Sequence, residues 1–257
     1  MKEKIYTIPV TEAFNVDCEC PMCLLEKRFE EDRIDYFLGP SLMEPDTRIE
    51  TNEEGFCRRH FEMLYNKQEN RLGLGLIIDT HLMEQNNRLR KICGGILNQQ
   101  DDDSKTLISE IKGIFSGKSG KNEKTAEKII AYLSLLEKKC CVCSKLEYTM
   151  DRYIDVTLYL WSKEDDFRNL FNAKKGFCLK HFKQLLEGSE KYLSGRIQNE
   201  FVANLVRIQL ENMDRIQQEV NWFTKKFDYN NSDAPWGNSR DAVPRSIQKI
   251  VGYCNLK

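Results

Sequence analysis

Eight residues of this chain offer thiol and imidazole groups at spacings that suit a tetrahedral metal ion. Cys20-Pro21-Met22-Cys23 is followed, 34 positions after its second cysteine, by Cys57-Arg58-Arg59-His60. Cys140-Cys141-Val142-Cys143 is followed, after 35 positions, by Cys178-Leu179-Lys180-His181. Two cysteines separated by two residues can curl around one ion through a tight turn. A cysteine and a histidine three apart on a helix share a face. Zinc takes four such ligands in a closed shell. The spacing therefore predicts two structural Cys3His sites. The first is drawn from Cys20, Cys23, Cys57 and His60, and the second from Cys140, Cys143, Cys178 and His181. Each would hold one Zn2+, two per chain. A dithiol redox pair in each Cys-x-x-Cys is an alternative, and iron–sulfur ligation is another.

Thiolates gain from a helix N-terminus, where unpaired N–H groups and the macrodipole favour negative charge. Pro21 suits a first helical position, and helices are expected to start near Cys57 and Cys178. After Cys23, the residues Leu24, Leu25, Phe29, Ile34, Phe37 and Leu38 mark an apolar face at helical spacing. After Cys143, the residues Leu146, Met150, Ile154, Leu158 and Trp161 do the same. Long helices are expected over about residues 72–97 and 197–227. The one strand candidate is a short apolar run near residues 5–10.

The two ligand stretches also share wording. Gly-Phe-Cys-x-x-His-Phe occurs at residues 55–61 and again at 176–182. Matched words at matched spacing predict an internal duplication. The fold class expected is all-α, with two duplicated helical zinc-binding modules joined by a polar linker, plus a C-terminal tail segment. The modules would occupy residues 1–98 and 124–229. The linker, 99–123, would carry a short helix around Leu107, Ile108, Ile111 and Ile114, and the tail, 230–257, would dock on the body through Trp236. Gly117-Lys118-Ser119 resembles part of a phosphate loop, but the upstream glycine and strand of that motif are missing.

The halves differ between helix and Gly-Phe-Cys. The first carries residues 39–50, where Glu44, Asp46 and Arg48 could form a polar site, with His81 on the long helix as a further member. The plainer reading is a turn-rich loop with solvated charges. Four cysteines remain outside the quartets. Cys93 is expected in a core, and Cys18, Cys141 and Cys254 are expected to be open to thiol reagents. Cys18 and Cys141 motivate a thiol-redox or metal-handling alternative.

The chain has 257 residues, a formal net charge of -1 and 40% hydrophobic residues, enough to bury a core. A nearly neutral chain lacks the broad positive field that phosphate binding needs, which disfavours nucleic acid as a partner. No apolar stretch reaches transmembrane length, and the N-terminal run is too short for a signal peptide. Ten cysteines fit metal or thiol chemistry in a reducing compartment. The expectation is a cytoplasmic protein that binds other proteins, with self-association through the 197–227 helix as an option. No catalytic motif is visible, so whether it is an enzyme stays open.

Residues 8–14 (Ile-Pro-Val-Thr-Glu-Ala-Phe), the 39–48 loop, both Gly-Phe-Cys-x-x-His words and residues 233–239 (Asp-Ala-Pro-Trp-Gly-Asn-Ser) carry a resemblance when taken together. They resemble a bacterial family, common in anaerobes, known as domain of unknown function 6062. The resemblance covers most of the chain and implies a cytoplasmic bacterial protein. It implies no reaction.

Overall fold

The apolar run at the N-terminus forms a helix, not the short strand its sequence allowed. Helix α1 (Lys4–Asn15) buries Val10, Ala13 and Phe14, whose spacing of three and four residues puts them on one face. Pro9 lies inside it and forfeits a bond to the carbonyl of Ile5. Burial of the apolar face outweighs that loss. The structure, a computed structural model, describes residues 4–100 and 119–256. Among them are eleven α-helices, a few 3-10 turns and no strand. No helix among the described residues is long and apolar enough to cross a membrane.

The elements that carry the Cys-x-x-Cys words are the long helices α2 (Pro21–Leu38) and α7 (Cys143–Lys163). Pro21 is the first residue of α2. The segment expected as a turn-rich loop is instead a 3-10 turn, Pro40–Met43, followed by α3 (Pro45–Glu54). Pro45 opens α3 and Asp46 sits in its first turn, both favourable at a helix start. Next come α4 (Arg58–Lys67), α5 (Arg71–Gln100) and α6 (Ser119–Leu136). The expected linker helix around Leu107–Ile114 lies outside the described residues. After α7 follow α8 (Asp165–Asn172), α9 (Leu179–Tyr192), α10 (Gly195–Lys225) and α11 (Ala242–Val251).

The chain divides into two compact units: Met1–Glu30 with Leu146–Lys257, and Glu31–Lys145. Helices α2 and α7 each begin in one unit and end in the other. The first unit has an aromatic core in which Phe14, Phe167, Phe171, Phe177, Phe201 and Trp161 touch. Helix α10 contributes Phe201, Leu205 and Ile208 to this core, so most of its apolar face is used internally. Helix α11 packs on α9 and α10. Trp236 lies against Phe223, and Trp222 donates to the Pro235 carbonyl at 3.0 Å. The second unit has a smaller core, with Phe37 and Phe56 edge to face among Ile34, Leu38, Leu42, Leu64, Leu74 and Ile77.

Candidate metal centres

Each ligand pair is prepared by its own local structure. Cys57 and Cys178 are the N-caps of α4 and α9, in extended conformation. The Cys178 sulfur accepts from the His181 N–H at 3.5 Å, which seats a thiolate at the helix start. The preceding glycines have positive φ, +60° at Gly55 and +76° at Gly176, a region only glycine enters freely. In the N-terminal pair, the Cys23 N–H bonds the Cys20 carbonyl at 3.1 Å, closing the turn that leads into α2.

The pairs then combine across the sequence, contrary to the expected grouping. Cys20 and Cys23 meet Cys178 and His181, and Cys57 and His60 meet Cys140 and Cys143. The eight candidate residues fall into two quartets, and each quartet takes its Cys-x-x-Cys from one half and its Cys-x-x-His from the other. In the first site, His181 Nδ1 lies 3.5, 3.3 and 3.1 Å from the sulfurs of Cys20, Cys23 and Cys178. The Cys23 and Cys178 sulfurs are 3.5 Å apart. In the second site, His60 Nδ1 lies 3.2 Å from Cys57, 3.2 Å from Cys140 and 3.4 Å from Cys143. Cys57 and Cys143 are separated by 3.7 Å. Tetrahedral zinc with bonds of about 2.0–2.3 Å places sulfurs about 3.8 Å apart and sulfur from nitrogen about 3.5 Å apart. Both quartets fit that edge length. No cysteine is in a disulfide.

A metal needs deprotonated ligands, and the surroundings act on them unevenly: burial, with the neighbouring thiols, pushes Cys20 and Cys143 up, while Cys140 and Cys178 are brought down. Burial would raise the Cys140 thiol, but its bond with His60 and backbone bonds at Cys57, Cys143 and Val142 bring it down to about 6. In the first site His181 presents Nδ1 to the sulfurs while Nε2 lies 3.2 Å from the Glu26 carboxylate. Burial works against the charge on Glu26. Its contacts with His181 and with Lys180, the latter at 2.5 Å, outweigh this and hold the carboxyl at about 2. A carboxylate behind the imidazole raises its basicity through its charge, although His181 Nε2 makes no hydrogen bond in this geometry. Glu26→Gln should therefore weaken zinc binding at the first site about 10–100-fold, read by competition with a chromophoric chelator. An unchanged affinity would remove Glu26 from the site.

An amide side chain in each unit supports the approach to Gly-Phe-Cys, at the turn itself in the first unit and at the last turn of α3 in the second. Gln209 of α10 accepts from the Phe177 N–H at 2.9 Å and donates to the Phe177 carbonyl at 3.0 Å. Gln85 of α5 donates to the Asn52 carbonyl at 2.9 Å and accepts from Tyr132. His81, the candidate for a polar site, does related work. Its Nδ1 lies 3.0 Å from the Asn52 carbonyl, and its ring occupies the space a Gly55 side chain would need, 2.5 Å from an ideal Cβ. Gly55→Ala combines backbone strain with this clash and should destabilise the second unit by about 2–4 kcal/mol, measured as urea unfolding followed by helicity. Gly176→Ala should cost less, because the nearest atom to its Cβ would be the Gln209 side-chain oxygen, at 3.1 Å, with Asn212 and the Ile208 carbonyl at ordinary contact distance.

The remaining candidates do not converge. Glu44 caps the start of α3 and Asp46 stands exposed in its first turn. Arg48 is partly exposed one turn later. His81 contacts Asn52 and Gly55 toward the other end of that helix, where Asn52 lies about 9 Å along from Asp46 and about 6 Å along from Arg48. Cys141 is buried, with burial and the nearby Glu50 and Glu54 carboxylates pushing its thiol well above the ordinary range, so it is not the accessible thiol expected. Cys93 is half-buried, not a core residue, and Cys18 and Cys254 are also half-buried.

Sequence reasoning missed Glu26, Gln85, Gln209 and Lys249. Glu26 lies three residues after Cys23 on the same helix face, a signal that could have found it. Lys249 comes from the tail. Its ammonium is buried and donates to the carbonyls of Glu19 and Lys175 at 2.8 and 2.5 Å. Those carbonyls directly precede the two ligand words of the first site. Its charge is met by the Glu19 carboxylate at 3.0 Å, which also receives Arg215 at 2.6 Å and Arg245 at 3.2 Å.

Fold and site together define an all-helical protein with two Cys3His clusters able to hold metal ions. The chain belongs to the family of unknown function DUF6062, whose model matches residues 1–257. No curated protein and no solved structure matches it.

Proposed function

We propose that this is a zinc-binding helical protein in which two structural Cys3His sites brace a scaffold for binding other proteins. What carries the reading is the pair of four-ligand quartets at single-ion spacing. A closed shell leaves no position for water or substrate, which suits a brace and not a catalyst. The spacing also favours zinc over iron–sulfur ligation, because a cluster of several irons holds its ligands farther apart than one ion does. The reciprocal grouping supports a duplication. One half's Cys-x-x-Cys with the other's Cys-x-x-His, twice over, is the pattern of a two-fold exchange between copies. The experiment is elemental analysis of protein purified without added metal. Two zinc ions per chain are expected; near-zero zinc or iron–sulfur absorbance would overturn the reading.

A further inference from the structure

The two quartets are built from the same ligands but covered differently. In the first, Cys20, Cys23, Cys178 and His181 are all buried, none more than 8% exposed. The chain after α11 lies directly on it. Gly252 adopts φ +88°, and a Cβ added there would sit 3.6 Å from the Cys178 sulfur and 3.7 Å from that of Cys23. Lys249 holds α11 to the segments that precede the ligands. In the second, His60 and Cys140 are buried, but Cys57 is half-exposed and Cys143 is exposed. The two accessible thiols are also neighbours, 3.7 Å apart.

We infer that the second site is a redox-released zinc site, with peroxide as its oxidant and Cys57 and Cys143 as the pair that reacts. This rests on the reading of both quartets as zinc sites. Susceptibility of a thiolate to oxidation follows its exposure, and only here do two ligands of one ion meet solvent together. The Cys143 thiolate attacks the peroxide; an S–O bond forms, the O–O bond breaks and hydroxide leaves. The Cys57 thiolate then attacks the Cys143 sulfur; the S–S bond forms, the S–O bond breaks and a second hydroxide leaves. Two protons from solvent turn both hydroxides into water. Two thiolates have given up two electrons and one peroxide has taken them. Zinc is left with Cys140 and His60, too few ligands for a closed shell, and dissociates. Release unties the start of α4 from the turn that opens α7. The bond from the Cys141 N–H to the Gly55 carbonyl, 3.0 Å, still links the two segments and favours rebinding after a dithiol reduces the disulfide.

The test uses the zinc-loaded full chain, a few equivalents of hydrogen peroxide and a chromophoric zinc chelator. One ion per chain should be released at least about tenfold faster than the other. Peptide mapping should show a Cys57–Cys143 disulfide, and dithiothreitol with added zinc should restore both ions. Cys143→Ser should abolish the fast phase, and Lys249→Met, which loosens the cover of the first site, should speed the slow one. Loss of both ions at one rate, a Cys20–Cys23 disulfide, or no release with both ions retained would overturn the inference while leaving the zinc reading intact. Protein that carries no zinc overturns both.

Discussion

Replacing Cys23 and Cys178 together by alanine should remove one zinc ion per chain, and replacing Cys23 and Cys57 together should remove both. The two pairs of substitutions are equally severe in chemistry, each deleting two thiolates, but they distribute differently over the sites. Cys23 and Cys178 share one quartet with sulfurs 3.5 Å apart, whereas Cys57 belongs to the other. A structural zinc site contributes about 10–16 kcal/mol at neutral pH, so the loss of a ligand is visible as the loss of an ion. Elemental analysis of the two double variants reads the grouping directly. If each half closed its own shell, the outcomes would be reversed, with one ion left after Cys23→Ala with Cys57→Ala and none after Cys23→Ala with Cys178→Ala. The Cys23→Ala with Cys178→Ala protein should also lose hydrogen-exchange protection in α1 and α9 while α3 and α5 keep theirs.

Stripping the metal should unfold the second unit more completely than the first. A typical domain is stable by about 5–15 kcal/mol in total, which is no larger than the contribution expected of one zinc site. What remains without the ion is decided by the core. In the second unit α3 and α4 have ten residues each, below the length of about 12–15 at which isolated helices become even marginal in water, and few large side chains hold them. The first unit keeps the cluster of Phe14, Phe167, Phe171, Phe177, Phe201 and Trp161, and α7 and α10 are long. With a strong chelator at neutral pH, exchange protection over residues 45–67 should vanish. Protection over residues 150–161 and 201–216 should weaken but persist. Full protection throughout the metal-free chain would mean that the ions are not braces.

Much of the local structure was legible. Cysteines that cap α4 and α9, proline at the start of α2, and the long helices α5 and α10 follow from spacing and capping preference. The segment before Gly55 was less so. Its prolines and acidic residues read as turns, but Pro45 and Asp46 are also good helix starters, and burial of Thr47 and Thr51 settles the choice. His81 and Glu44 could be placed on their elements but not relative to each other, because that depends on which end of α3 packs against α5.

The sequence by itself determined the eight candidate ligands. Each word is a turn or helix start whose geometry is complete within four residues, so the eight donors and their two kinds of pair needed nothing from the rest of the chain. The grouping of pairs was decided only by the tertiary structure. Spacings of 34 and 35 positions admit either grouping when counted as chain length. From Cys23 the chain enters α2, whose 18 residues span about 27 Å, and from Cys143 it enters α7, whose 21 residues span about 32 Å. Each is followed by one short helix, α3 of about 15 Å or α8 of about 12 Å, before the Gly-Phe-Cys turn. In both halves a long helix leads away from the Cys-x-x-Cys and a shorter one leads to the Gly-Phe-Cys turn, and the packing within each unit brings together a Cys-x-x-Cys and a Cys-x-x-His from different halves.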